Sequence, residues 1–586
     1  MIYLLKIIRI LLLLFSLYGY SQELRCKINL KAELVLPVLF ASIGSIMFLA
    51  GILNILAETS IVFFAVGLIL GFISIYRKDK PSSLITLGTV ICAIIIAVLL
   101  ALTYSNKYLD YDNFSHWGTV VRLVVEKDAF PNFEDSIIVF QSYPTGSAAF
   151  IYYFAKITGL RSEWFYLWTQ EVLTVCMAGS ILAFCSRKYK LEYLGAAACV
   201  VFILCSLVKT TQMLLVDTLL SVVGISGIAV CFYYREIILS KKLLLLPILV
   251  FSVSIKNSGI FFAVIILAYY LYRIIKNRNA KIYNLWREIL FTASPFIVLL
   301  LWDKHVSYVF SKGMTAKHSM SPEYYEEIIS QKTPEIISQI TDSFIKKVFS
   351  LHNSFWLAVC FIILVAVICA IWRIKSKIFA EGTVLIFASY LIYQAGNYMM
   401  YLFSMPNNEA LQLASYERYH GTFLIFACGI LWIIILSLAK SIRLKNEQRS
   451  EHYHSAVCIA HISVLVFFSW FFLSPRLAYF ERQKYDGTER QLLDSIVETY
   501  QLDTSGNTNY ILLWEQDNVG YRSYLSKYVF NDGDILFIEE NNIEQLNNIE
   551  GYDYLIIPEH TEIIDKYLRK TFGSDTEEAY KITRNT

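Results

Sequence analysis

Long apolar runs recur along most of the chain and stop near residue 474. A hydrocarbon core is crossed by ~20 mostly apolar residues. On that measure the runs predict thirteen spans, at 34–57, 58–76, 83–104, 164–184, 192–208, 212–234, 242–256, 257–274, 286–303, 352–373, 379–402, 418–439 and 455–474. Seven of the loops between them are basic: RCKINLK (25–31), RKDK (77–80), SRKYK (186–190), REIILSKK (235–242), RIIKNRNAK (273–281), RIKSK (373–377) and KSIRLKNEQR (440–449). With these spans all seven fall on one side, which the bias of Lys and Arg in short loops makes the cytoplasm.

The same bias decides two ambiguous runs. If SYPTGSAAFIYYFAKITG (142–159) crossed, SRKYK would lie outside, so this segment reads as a helix on the outer surface. The run 242–274 is too long for one span, and counting it as two puts SIKNSG (254–259) at an outer turn. The N-terminal region, 1–33, reads as a retained anchor or an interfacial helix, because no small-x-small cleavage site clearly follows its apolar stretch.

The membrane domain is therefore 34–474, with a first outer loop at 105–163, a polar helical outer segment at 304–351 and a short outer loop at 403–417. The tail, 475–586, also lies outside. It alternates NYILLW (509–514), ILFI (535–538) and DYLIIP (553–558) with polar helical stretches, which predicts a small α/β domain. It carries 21 Asp/Glu against 11 Lys/Arg, and no Gly-rich phosphate loop or HExxH accompanies it.

Composition agrees with this reading. The chain is 56% hydrophobic and 17% charged, where a soluble domain averages ~25% charged. Its net charge of +3 and lack of a basic block exclude nucleic acid as a partner. Ten of the eleven cysteines lie in or beside apolar runs and no CxxC occurs, so neither a disulfide framework nor a zinc site is expected. The fold class is a polytopic α-helical membrane protein of about thirteen spans with a small extracytoplasmic α/β domain, placed in the plasma (inner) membrane.

Candidate chemistry concentrates in YLDYDNFSHWG (108–118), at the start of the first outer loop. Asp110 and Asp112 flank Tyr111. A helix starting here places Asp112 and His116 on one face, with Asn113 or Ser115 as its cap. Trp117 fits an interfacial aromatic belt. The plain alternative is a loop entering the membrane surface with solvated carboxylates. Two carboxylates so spaced suit a hard divalent cation, Mg or Mn, through oxygen ligands. His116 has no second His or Cys at ligand spacing.

The order from this cluster, through VVRLVVEKDAFP (120–131), to a Pro-Thr-Gly turn and an aromatic helix ending in Gly159 resembles the GT-C superfamily. These are integral-membrane glycosyltransferases that use polyprenyl-phosphate sugars, and the first outer loop is similar to the protein mannosyltransferase and aminoarabinose transferase type. YDNFSHWG resembles the family's DEFSHWG element, with Asn113 in place of the usual Glu and Thr145 in place of a second Pro. The likeness is specific over 110–159 and architectural elsewhere; family members often place this loop after a single span, whereas here three or four precede it. It implies a catalytic base at Asp112, with Asp110 as second choice or metal ligand. It also implies a polyprenyl-phosphate-linked sugar as donor, a glycan, lipid or protein as acceptor, and membrane lipid around both.

Further polar residues stand at the same face. Lys209 and Asp217 bracket an outer turn; Asp217 lies in apolar sequence, where a charge is costly and usually functional, or is ion-paired with Lys209 or Lys256. Lys256, in SIKNSG, is placed to meet a lipid phosphate or to snorkel to the interface. SYERY (415–419) brings Glu417, Arg418 and Tyr419 to the start of a span, resembling an element of related transferases; Arg suits bidentate phosphate binding, and a plain interfacial anchor is the alternative. Lys256, Arg418 and Lys209 are therefore donor-phosphate candidates, and His116, Asp217, Glu417 and Tyr419 further site candidates. Two other functions compete. A polysaccharide polymerase or ligase would favour arginine-rich outer loops, whereas the first loop has only Arg122 and Arg161. A lipid-linked-sugar transporter would show internal repeats, and none is apparent.

Overall fold

A computed structural model of the chain describes residues 2–79, 84–276, 285–310, 322–445, 451–506, 508–517, 520–531, 533–548 and 551–582. The basic segments 277–281 and 446–449 lie outside the described residues, as do parts of the loop 304–351 and of RKDK. Helices α1 (Ile2–Cys26), α2 (Ala32–Ile52), α3 (Leu56–Tyr76) and α4 (Leu87–Thr103) precede the first long loop. That loop holds a π-helical turn (Asn113–Trp117), α5 (Gly118–Lys127) and α6 (Gly146–Thr158). There follow α7 (Glu163–Ala178), α8 (Lys190–Leu204), α9 (Asp217–Tyr233), the short α10 (Ile238–Lys241), α11 (Leu246–Ile255), α12 (Gly259–Lys276) and α13 (Leu285–Val309). Then come α14 (Pro322–Ser330), α15 (Pro334–Phe349), α16 (Phe355–Ile371), α17 (Lys377–Phe403), α18 (Asn407–Leu411), α19 (Tyr416–Lys445) and α20 (Glu451–Leu473).

The chain is a polytopic α-helical membrane protein. Among the described residues nine helices are long and apolar enough to cross a bilayer, a bent pair at Ile238–Leu244 and Leu246–Ile255 adds a tenth, and α4, α9 and α16 are apolar but shorter. A helix stands at each of the thirteen expected positions, and α1 is a further apolar one. It lies against α3 at a crossing of small residues, where a Cβ on Gly19 would meet the Gly67 carbonyl at 2.2 Å. Helices α9 and α19 are buried at the centre, while α3, α16 and α20 expose Phe72, Leu364 and Phe467 on surfaces that lipid covers.

Three of the basic loops meet one another at one end of the helices. The Lys31 amide donates to Tyr234, Lys241 to the Ile28 carbonyl, and Arg273 Nε to the Arg235 carbonyl at 3.2 Å. At the other end lie the first long loop, the turns 209–217 and 254–259 and the start of α19.

The first loop is more enclosed than expected. The segment 142–159 forms a helix that is not among the candidate spans, and it is covered by protein: α6 is buried along nearly its whole length, packed against α2, α5 and α7. Its Pro-Thr-Gly start fits tightly, since a Cβ on Gly146 would sit 2.3 Å from Ser254 Oγ. Trp117 is not an interfacial anchor, because it is buried against His116 and Tyr143.

The C-terminal region folds around a four-stranded sheet of order β2-β1-β3-β4, formed by β1 (Tyr510–Trp514), β2 (Leu536–Glu539), β3 (Tyr554–Ile556) and β4 (Ala579–Lys581). The three expected strands pair in parallel, and β4 adds an antiparallel edge that the sequence did not predict. Helices α21 (Glu489–Thr499), α22 (Tyr521–Phe530) and α23 (Glu562–Phe572) complete it. This domain docks on the first loop. Glu163 accepts from Tyr528 Oη at 2.9 Å and from Arg490 at 3.3 Å, and Lys107 pairs with Asp494 at 2.8 Å.

Candidate functional site

Helices α9 and α19 bring two charges together. Ser221 Oγ donates to the Thr422 carbonyl at 2.7 Å, and a Cβ on Gly429 would lie 2.4 Å from Ile225 Cδ1, so the helices pack closely. Asp217 opens α9 and Arg418 stands in the first turn of α19. A helix N-terminus favours the carboxylate and disfavours the guanidinium, so Arg418 needs acidic partners. It has two: Nη1 is 3.4 Å from Asp112 Oδ2, and Nε is 3.7 Å from Asp217 Oδ2.

Lys256 completes a quartet. It stands in extended conformation between α11 and α12, with Nζ 3.2 Å from Asp217 Oδ1 and 5.3 Å from the centre of the Tyr419 ring. Arg418 lies 5.6 Å from the same ring. Asp217 and Lys256 are thus the ion pair that the sequence offered as an alternative, and Lys209 is not its partner. Asp217 Oδ2 and Arg418 Nε are buried, and neither has a hydrogen-bond partner among the described residues. The quartet therefore retains unmet polar capacity.

Asp112 is the accessible carboxylate here, its side chain 32% exposed against 3% for Asp217. Burial holds the Asp112 carboxyl above its ordinary value; the nearby Asp110 and Asp217 charges push the same way, and Arg418 and Lys256 oppose them. Asp110 accepts from the Asp112 amide at 3.1 Å and is likewise raised by burial, against the pull of that hydrogen bond, Lys209 and Arg418. Lys209 is exposed and faces Asp110 electrostatically rather than in an ion pair.

The other expected residues divide. Tyr419 joins the quartet through its ring, and its carbonyl accepts from Tyr393 Oη at 2.9 Å. Glu417 does not join it: the side chain is 74% exposed and pairs with Lys347 at 2.6 Å. His116 is buried among Trp117, Phe140 and Tyr143, and burial, aided by Lys256, pushes its imidazole down to about 3. It packs there as a neutral ring. Asn113 caps no helix of its own. Its Nδ2 donates to the Gln212 carbonyl at 2.8 Å and its Oδ1 accepts from the Leu214 amide at 2.9 Å, tying the acidic stretch to the turn that precedes Asp217.

A divalent cation at Asp110 and Asp112, which the sequence left open, would find few donors. Among the described residues no third carboxylate or imidazole joins the pair, and the Arg418 guanidinium stands beside Asp112. The positive charge available here comes from side chains.

Sequence reasoning missed Tyr143, inside the quoted YPTG element, which lies within electrostatic reach of Lys256, Tyr419 and Arg418 and whose phenol burial pushes up to about 12. It also missed the C-terminal domain as a wall of the site. Tyr521 Oη donates to the Leu109 carbonyl at 2.9 Å, and Tyr524 meets the Tyr111 ring edge-on at 5.4 Å. No protein-family model matches the chain, and no curated protein shows significant similarity to it.

Proposed function

We propose that this chain is a membrane glycosyltransferase of the GT-C type, moving a sugar from a polyprenyl-phosphate donor to an acceptor hydroxyl. The observation that carries the reading is the quartet: a part-exposed carboxylate, Asp112, beside two cations that Asp217 holds at the end of the membrane helices. Asp112 takes the proton of the acceptor hydroxyl as that oxygen attacks the anomeric carbon. The bond from that carbon to the phosphate oxygen breaks on the opposite face, inverting the configuration, and its electron pair leaves with the phosphate. Lys256 and Arg418 meet the developing phosphate charge, so the leaving group needs no separate acid. Asp217 keeps both cations in place without touching substrate. On this reading the first loop and residues 475–586 face the extracytoplasmic side of the plasma membrane, and the product belongs to cell-surface glycan assembly.

The test is turnover of polyprenyl-phosphate sugars by purified wild type and Asp112→Asn, with folding checked beside it. Turnover by wild type and a loss of about 10²-fold or more in the variant is expected for a lost general base. Equal turnover by the variant removes Asp112 from the chemistry, and no turnover of any such donor by wild type sinks the reading.

A further inference from the structure

Three of the basic loops converge on one cavity that the proposed chemistry does not use. It has a volume of about 420 Å³ and is lined by Arg235, Glu236, Arg273, Lys276, Lys377 and Glu381. These residues come from three helix ends: the C-termini of α9 and α12 and the N-terminus of α17. Four cations face two carboxylates, an excess of two positive charges.

The carboxylates do not consume that excess. Glu381 is the organiser: its side chain is 6% exposed, and it pairs with Arg273 at 3.4 Å and with Lys276, while accepting from Tyr269 Oη at 3.2 Å and Tyr272 Oη at 3.3 Å. Glu236 pairs with Arg235 at 2.9 Å and with Arg273 at 3.3 Å. Arg235 Nη1 is nevertheless buried, with no hydrogen-bond partner among the described residues, and Lys377 makes no ion pair among them. A buried guanidinium nitrogen without a partner, at a cavity with an excess of positive charge, is a poor arrangement unless an anion completes it.

We infer that this cavity is a binding site for a phosphate group, with Arg235 and Lys377 as its principal donors and Arg273 and Lys276 held behind them by Glu381. The excess of two positive charges matches a phosphate monoester dianion, and arginine offers the fork that phosphate oxygens accept. A cavity at the basic end of membrane helices is within reach of the headgroup of an anionic lipid such as phosphatidic acid. A soluble phosphate would meet the same groups. The inference does not depend on the glycosyltransferase reading, because it shares no residue with the Asp112 quartet.

Thermal unfolding of the detergent-purified full chain tests it, with phosphatidic acid, phosphatidylcholine and inorganic phosphate titrated separately. The comparison variant is Arg235→Gln with Lys377→Gln; Lys377→Gln alone, at an exposed side chain, guards against a folding defect. Phosphatidic acid is expected to raise the wild-type midpoint while phosphatidylcholine does not, and the double variant is expected to need about tenfold more lipid for the same shift. If inorganic phosphate gives the full shift and abolishes the effect of the lipid, the phosphate site stands with a soluble source. An equal shift with phosphatidylcholine, a phosphatidic acid response unchanged in the variants, or no response to either phosphate compound would overturn the inference.

Discussion

Arg418 reaches Asp112 across 306 residues of chain, Nη1 to Oδ2 at 3.4 Å, and turns its Nε towards Asp217. One guanidinium thus spans an accessible carboxylate and a buried one. Lysine at this position would carry the charge but not the fork. Arg418→Lys is expected to lower kcat/KM by about tenfold or more, and Arg418→Gln by more still, since the variant loses both charge and geometry. Steady-state kinetics with a polyprenyl-phosphate sugar would check the order; equal activity of Arg418→Gln and wild type would remove Arg418 from phosphate binding.

Asp217 is placed to hold cations rather than to react. Its removal leaves the part-buried Lys256 and Arg418 without their shared counter-ion; breaking a fully buried pair from one side costs roughly 3–5 kcal/mol, and the exposure of Arg418 and its remaining partner Asp112 reduce the cost here. Asp217→Ala is expected to lower the unfolding midpoint markedly. Asp217→Asn with Lys256→Met is expected to recover most of the stability while remaining inactive, because the phosphate loses one cation. A calorimetric scan of the three proteins separates the two effects, and an Asp217→Ala protein as stable as wild type would contradict the ion-pair account.

On the proposed chemistry, the acidic limb of the rate profile follows from the same groups. Asp112 is raised by burial first and by Asp110 second, so its basic form is lost at a pH above the ordinary carboxylate value of 3.8. Asp110→Asn removes a like charge and is expected to move that limb to lower pH. The stability sign runs the other way from an ordinary ion-paired carboxylate. Both groups bind protons more tightly in the folded chain. Their contribution to stability is therefore complete below the unfolded value and lost as pH rises through the folded one. His116, pushed down to about 3, adds no limb near neutral pH. A kcat/KM profile of wild type and Asp110→Asn is the measurement, and an unmoved acidic limb would show that Asp112 does not set it.

Much of this was legible in the hydropathy pattern, and its limits are physical. Burial of ~20-residue apolar runs is a local property, so a helix stands at each expected span position. The acidic motif was also local, and it pointed to Asp110 and Asp112. The quartet was not, because its members come from four separate turns that only tertiary packing joins. Trp117 was misplaced for a related reason: an aromatic residue beside an apolar run looks the same whether lipid or its own loop, here His116 and Tyr143, covers it. Strand β4 is three residues long, and no period-2 pattern shows in so short a piece.

The C-terminal domain bears on the site through Glu163, which accepts from Tyr528 and Arg490 of that domain and from the Tyr108 amide of the acidic loop. Arg490 is 9% exposed; burial acts against its charge, and Glu163, Tyr528 and Asp494 together outweigh it. Glu163→Ala leaves that guanidinium with Asp494 alone and removes the carboxylate shared by loop and domain. The variant is expected to loosen the domain and the acidic loop together, because Glu163 is bonded to both, while the membrane helices stay folded. Hydrogen exchange of the full chain reads this directly. Protection should fall in 104–118 and 485–531 and remain in α9 and α19. Loss confined to the C-terminal domain would show that Asp112 is positioned without it, and loss in α9 and α19 as well would show that Glu163 serves the whole fold rather than the docking.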